Sequence, residues 1–143
     1  MTDWVDLHLH SACSDGKESP DVLVKRAAAL GATAIALTDH DTTDGVLLAQ
    51  QTATEEGVQF LPGVEISASF DGREMHIVGL GIDIHAQPLQ LLLSQLAQMR
   101  HDRQNTILKR LHEKGIAPEI YGTFREALPV SEGRMHVAVA LHE

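Results

Sequence analysis

Apolar and polar positions change their period along this 143-residue chain, and each change marks an element. Trp4–Leu9 reads as a β-strand, so His8 and His10, two residues apart, leave the same face. Ser19-Pro20 supplies an N-cap residue followed by proline at the first helical position, which predicts a helix to Leu30 with Gly31 as its stop. Ala34–Leu37 is a short apolar run that predicts a buried strand, and a second helix is expected from about Thr43 to Glu56, ended by Gly57. Val58–Leu61 and Val64–Phe70 predict strands; Asp71-Gly72 predicts a tight turn, with Glu74–Gly81 returning antiparallel. From Gln87 to about Lys114 the period is helical throughout, carried by Leu89, Leu92, Leu93, Leu96, Met99, Ile107, Leu108 and Leu111, and Gly115 stops it. A less regular segment with Pro118, Tyr121 and Pro129 leads into a short amphipathic stretch, Arg134–Leu141. The βαβα opening implies an α/β fold with right-handed crossovers.

Composition narrows the class. The length is that of one domain with a real core. The chain contains no apolar run long enough to cross a bilayer as a helix, so no membrane partner is expected. Its acidic start runs directly into a strand, unlike a signal peptide. Cys13 is the single cysteine, which leaves neither an intramolecular disulfide nor a cysteine–zinc framework and fits a cytoplasmic enzyme. Cys13 itself reads as a small loop residue. A net charge of −9 argues against a protein that coats nucleic acid, and no DNA partner is expected. The charge is uneven: residues 1–99 carry 14 acids against 4 bases, and residues 100–143 carry 6 acids against 7 bases. A carboxylate-rich part that could hold cations is followed by a part richer in cationic side chains.

The candidate chemistry lies in that first part. His8 and His10 at a strand end, Asp15 on the next loop, and His40 and Glu65 at or near the ends of the next strands are all metal-competent. In α/β folds ligands gather at the carboxyl ends of strands, so residues from three consecutive strands would converge on one rim. A multinuclear metal site follows from that convergence. Imidazole and carboxylate ligands admit manganese, iron and zinc alike. Asp39 is expected to orient a ligand histidine, and Asp41 and Asp44 to begin the second helix, where the dipole favours negative charge. Arg100 and Arg103 are three apart and share a helix face.

The ordered segments Asp6-Leu7-His8-Leu9-His10-Ser11 with Asp15-Gly16, Leu37-Thr38-Asp39-His40-Asp41, Pro62-Gly63-Val64-Glu65-Ile66-Ser67 and His76-Ile77-Val78-Gly79-Leu80-Gly81-Ile82 resemble the polymerase and histidinol phosphatase (PHP) family. The likeness spans about residues 4–143. It is nearest to the branch of 3′,5′-nucleoside bisphosphate phosphatases, which also includes 5′→3′ exoribonucleases acting on short RNA. The resemblance implies a distorted (β/α)7 barrel holding up to three divalent metals, often manganese. It implies that His8, His10 and Glu65 bind one metal and that Asp15 and His40 bind a second. Glu65 would bridge to a third, which His76 also binds. Arg100 and Arg103, with Arg134 and His40, would hold substrate, the arginines taking a second phosphate from an inserted cap. His136 also matches the family pattern.

On this reading residues 1–85 are the N-terminal part of the barrel and 86–143 the start of a helical cap insertion. The family's later His-Pro and Asp-x-His motifs, which complete the three metal spheres, are missing. The expectation is therefore a fragment of a longer polypeptide, or a fold completed by self-association, with little phosphatase activity of its own. The implied activity is phosphoester hydrolysis. Metal-held hydroxide would attack phosphorus in line, with no side chain nominated as base, and guanidinium forks would hold the non-scissile phosphate. The substrate would be a nucleoside 3′,5′-bisphosphate or the 5′-phosphorylated end of a short RNA. The alternatives are a non-catalytic metal- or nucleotide-binding module, and a PHP phosphatase for another phosphomonoester such as histidinol phosphate. Lys109, Arg110 and Lys114 read as solvated surface, and His85, His101, His112 and His142 are given no role.

Overall fold

A computed structural model describes residues 4–116. The elements in chain order are β1 (Trp4–Leu9), α1 (Pro20–Ala29), β2 (Ala32–Leu37), α2 (Val46–Glu56), β3 (Gln59–Phe70), β4 (Arg73–Leu80) and α3 (Gln87–Glu113). They build one sheet in the order β1-β2-β3-β4, parallel from β1 to β3 and antiparallel between β3 and β4. The predicted α/β alternation is observed. Among the described residues, no helix is long and apolar enough to cross a membrane.

The core lies where α1 and α2 pack on the parallel strands. Val24 and Ala27 of α1, Ile35 and Leu37 of β2, and Ala49 and Ala53 of α2 are all buried in it. The alanines are the reason both helices can approach the sheet closely, since the side chain adds almost nothing to the separation. Pro20 occupies the first turn of α1 as expected, but Ser19 makes no side-chain cap; its hydroxyl donates instead to Asp21 Oδ1 at 2.6 Å. Helix α2 begins at Val46 rather than at Thr43, because Thr42–Asp44 form a separate turn in which the Thr42 hydroxyl accepts the Asp44 N–H.

The two strands expected around Pro62-Gly63 are one continuous strand, β3. Its first part, Gln59–Pro62, pairs with β2, and its second, Gly63–Phe70, pairs with β4. Proline, which lacks a ladder donor, stands at the last β2 pairing, so the missing N–H does not break the strand. A side chain at Gly63 would collide with the Leu37 carbonyl and the Thr38 methyl, 2.8 Å from each, so glycine permits this close crossing. At the far end Asp71 and Gly72 both have positive φ, 51° and 72°, the requirement of a two-residue type I′ turn.

Helix α3 runs for 27 residues, as its period predicts. Its apolar stripe is only partly covered. Leu93 and Gln104 are buried, Leu89, Leu96, Ile107, Leu108 and Leu111 are half-buried, and Leu92 and Met99 are exposed.

Candidate metal centre

Three stretches of backbone meet at the carboxyl end of the parallel strands. His8 is the penultimate residue of β1 and His10 follows the strand; His40 lies three residues past β2; Glu65 sits just beyond the point where β3 leaves β2. Glu65 is thus in mid-strand rather than at a strand end, but it is level with the end of β2. A β-bridge between His40 and Glu65 sets that level, with the Glu65 N–H donating to the Asp39 carbonyl and the Asp41 N–H to the Glu65 carbonyl at 3.1 and 3.0 Å. His76 arrives from β4 because it is the cross-strand partner of Ser67, close to Glu65 on the paired ladder.

The Glu65 carboxylate is the centre of the cluster. Its Oε2 is 2.9 Å from His8 Nε2, 3.0 Å from His10 Nε2 and 3.7 Å from His40 Nδ1, while Oε1 is 2.9 Å from His76 Nδ1. Asp15 lies on the other side of His10 and His40, at 3.3 Å from His10 Nδ1 and 3.7 Å from His40 Nε2. The rings stand 4.6–5.0 Å apart in the chain His8–His10–His40–His76. Three sets of ligand atoms, each within 4.8 Å of one another, could hold an ion: His8/His10/Glu65, His10/Asp15/His40 and His40/Glu65/His76. Every residue singled out in the sequence as a metal ligand is in one of these sets.

The electrostatics fit cations. Burial on its own would raise the Glu65 carboxyl, but the His8 hydrogen bond and the His40, His8 and His10 imidazoles prevail and hold it below the usual carboxylate range. Burial pushes His40 below the ordinary imidazole value, outweighing the opposite pull of Glu65 and Asp15. A neutral imidazole is the form that binds metal. His40 Nδ1 is buried and has no hydrogen-bond partner among the described residues. An unpaired buried ring nitrogen is costly, and a metal ion would satisfy it.

The loop that aims Asp15 is held by Asp39. Its buried carboxylate accepts the Ser11 N–H at 2.7 Å and the Ser11 and Ser14 hydroxyls at 2.6 Å each. Among the described residues no hydrogen bond joins Asp39 directly to a histidine; it is linked to His10 through Ser14, whose Oγ is 3.5 Å from His10 Nδ1. Ser11 and Ser14 are fully buried working parts that sequence reasoning missed, since serines in a polar loop give no sign of burial. Cys13 is half-buried, and burial pushes its thiol up, in keeping with a loop residue rather than a nucleophile.

Asp41 departs from expectation. It does not begin α2 but sits in the left-handed region at φ 52°, buried. Its Oδ1 accepts the Ser67 N–H at 2.6 Å and its Oδ2 pairs with the Arg100 guanidinium, which also reaches the His40 carbonyl at 3.4 Å. Arg100 is thereby brought beside the cluster. Arg103 is exposed, with Nη1 3.9 Å from Glu74 Oε1. Arg134, His136 and the stretch 134–141 lie outside the described residues. A cleft of about 320 Å³ opens between the rim and α3, lined by Cys13, His40, Asp41, Asp44, Arg100 and His101 among others.

An α/β sheet that gathers imidazoles from two strand ends and the neighbouring hairpin around one buried carboxylate has the donor set of a metal-dependent enzyme class. Residues 6–130 match the PHP domain, and the chain belongs to the PHP family. It is 42% identical over 139 residues to a 5′-3′ exoribonuclease of Haemophilus influenzae, covering 96% of this chain and 50% of that protein. It is 40% identical over 121 residues to a 3′,5′-nucleoside bisphosphate phosphatase of Chromobacterium violaceum, covering 85% and 42%. Among solved structures, a candidate metal-dependent phosphoesterase from Bifidobacterium adolescentis superposes with a TM-score of 0.84 at 30% identity, over 96% of this chain and 49% of that one. The chain spans about half the length of the curated relatives it matches. The four-stranded sheet is accordingly part of a PHP barrel.

Proposed function

We propose that this chain carries most of the metal centre of a phosphoesterase that removes the 3′-phosphate of nucleoside 3′,5′-bisphosphates and acts on short 5′-phosphorylated RNA. The observation that carries the reading is Glu65, buried and within 2.9–3.7 Å of four histidines, one of which has an unpaired buried nitrogen. His8, His10 and Glu65 would hold one ion, Asp15 and His40 a second, and Glu65 with His76 a third. Manganese is the metal we favour, with zinc or iron compatible with the donors. Divalent cations bound there supply charge that neutralises a phosphate and lowers the pKa of water.

The protein's own part is positioning. The Asp39 carboxylate fixes the 11–14 turn and with it Asp15; the His40–Glu65 bridge fixes the separation of the second and third strands' ligands. Arg100, Arg103 and Arg134, with His40, would hold the substrate, and a planar guanidinium forks onto phosphate oxygens. Residues 86–143 would then act as a cap over the rim. The names of the two relatives support the substrate class. We further propose that polypeptide beyond these residues, or a second copy, completes the barrel and the metal spheres, since the chain spans only about half of its relatives. An enzyme of phosphorylated nucleotides with a single cysteine fits the cytoplasm.

The test is elemental analysis of the purified chain after manganese loading, followed by release of inorganic phosphate from adenosine 3′,5′-bisphosphate by a version extended to the length of its relatives. Bound metal with phosphate release supports the reading. Bound metal without hydrolysis by the extended protein would favour a non-catalytic binding module, and preference for histidinol phosphate a different PHP phosphatase.

A further inference from the structure

Asp41 carries three connections at once. Its backbone N–H donates to the Glu65 carbonyl at 3.0 Å, its Oδ1 accepts the Ser67 N–H at 2.6 Å, and its Oδ2 takes the Arg100 guanidinium. The side chains of Asp41 and Arg100 are 4% and 13% exposed, so this is not a solvated surface pair. The residue also adopts φ 52°, a conformation unfavourable for a side chain other than aspartate or asparagine. Among the described residues, Nη2 is the one Arg100 nitrogen that meets Asp41 and the His40 carbonyl. A guanidinium has five N–H donors in a fixed fork, so Nη1 and Nε remain for a ligand in the cleft that Arg100 lines together with His40.

We propose that Asp41 is a positioning residue that pre-orders Arg100 for a phosphate of the substrate and ties that arginine to the strand bearing Glu65. The inference rests on the proposed function, because it takes the cleft beside His40 as the phosphate site. Arginine is long, and immobilising a flexible side chain on binding costs affinity. Asp41 meets that cost in the free protein. It also neutralises one face of the cation while leaving the opposite face to the phosphate. Asp44 and His101 line the same cleft and would border the bound anion.

The experiment is calorimetric titration of the full chain, manganese-loaded, with adenosine 3′,5′-bisphosphate, in four forms: wild type, Asp41→Asn, Arg100→Lys and the double variant. Asparagine suits the backbone angle and keeps an oxygen for the Ser67 N–H. Lysine keeps a cation beside Asp41 but loses the fork. Manganese titration and thermal melts of each form report folding and an intact centre. The expected result is a Kd for the bisphosphate raised about two- to tenfold by Asp41→Asn, the range that ordering one such side chain represents, with manganese binding unchanged. In the Arg100→Lys background the same substitution should add little. An unchanged Kd in Asp41→Asn overturns the proposal, as does an equal loss in both backgrounds, which would make Asp41 purely structural. If Asp41→Asn does not fold, Arg100→Lys decides: a bisphosphate Kd equal to the wild-type value overturns the proposal, and a weakened one with manganese binding intact supports it. Wild-type chain that binds manganese but no bisphosphate, or wild-type binding untouched by either variant, overturns the positioning role, whereas the substrate reading stands or falls separately on phosphate release by the extended protein.

Discussion

The rim at the strand ends and the long helix α3 obey opposite rules. On the rim, polar side chains are among the most deeply buried of the described residues: Ser11, Ser14, Thr38, Asp39, Asp41 and Glu65 are all nearly inaccessible. On α3 and on β4 beside it, apolar side chains are exposed, Leu91, Met99, Met75 and Ile77 among them. Buried polar groups are tolerated only when they are paired, and the rim pairs them almost completely, leaving His40 Nδ1 as its one buried polar side-chain atom without a partner among the described residues. The helix has the reverse defect. Its period was built to bury a stripe, and the described residues cover only part of it. The rim is organised by hydrogen bonds within one short region of sheet, and α3 by separate side-chain attachments, among them buried Leu93, the Gln90–Thr43 hydrogen bond and the Asp41–Arg100 pair.

The sharpest way to break this contrast is at its centre. Glu65→Ala should remove manganese binding, lowering affinity by a hundredfold or more, since the loss of a group that merely orients a ligand already costs about 10–100-fold. Calorimetry with manganese checks it, and retained affinity would mean that the histidines do not share an ion through Glu65. Next in size is Asp39→Ala, which removes the acceptor of three buried hydrogen bonds. At about 1–3 kcal/mol for each unsatisfied group, softened by rotation of the serine hydroxyls, a stability loss of about 3–5 kcal/mol is expected in urea unfolding. A loss under 1 kcal/mol would show that the rim is not a cooperative hydrogen-bonded unit.

On the helix the effects should be smaller and should follow burial rather than hydropathy. Leu93→Ala should cost about 2–3 kcal/mol as a cavity-forming truncation. Among the described residues, Arg103 is held by a long, exposed contact with Glu74. Arg103→Ala should leave stability nearly unchanged, yet, in a version extended to the length of its relatives and on the proposed function, lower kcat/KM on adenosine 3′,5′-bisphosphate by about ten- to a few hundredfold, the value of one charge-assisted phosphate contact. Its effect on an aryl phosphate should be slight, and equal damage to both substrates would make the arginine structural. Smallest of all, Leu91→Ala, at a position 59% exposed, should stay within about 0.5 kcal/mol in the same unfolding assay. A larger cost there would mean that something outside the described residues covers this face.

Much of this was written in local sequence. Strand β1, the two glycine-ended helices, the Asp71-Gly72 hairpin and the full length of α3 follow from short-range periodicity and turn chemistry, which depend on neighbours in the chain. The metal-competent residues were legible too, because strand ends in an α/β fold share one rim, so His8, His10, His40 and Glu65 could be placed together without coordinates. What only the tertiary structure decided are the partners of the buried acids. Asp39 and Asp41 stand two residues apart in the same acidic run, yet one holds the 11–14 turn and the other reaches α3. No local rule separates them, because each choice depends on which distant donor the fold brings within 3 Å. The continuity of β3 through Pro62-Gly63 was hidden for the same reason: the strand survives there by changing its pairing partner. Periodicity fixes which face a residue presents; which group it meets there is set by the packing of segments far apart in the chain.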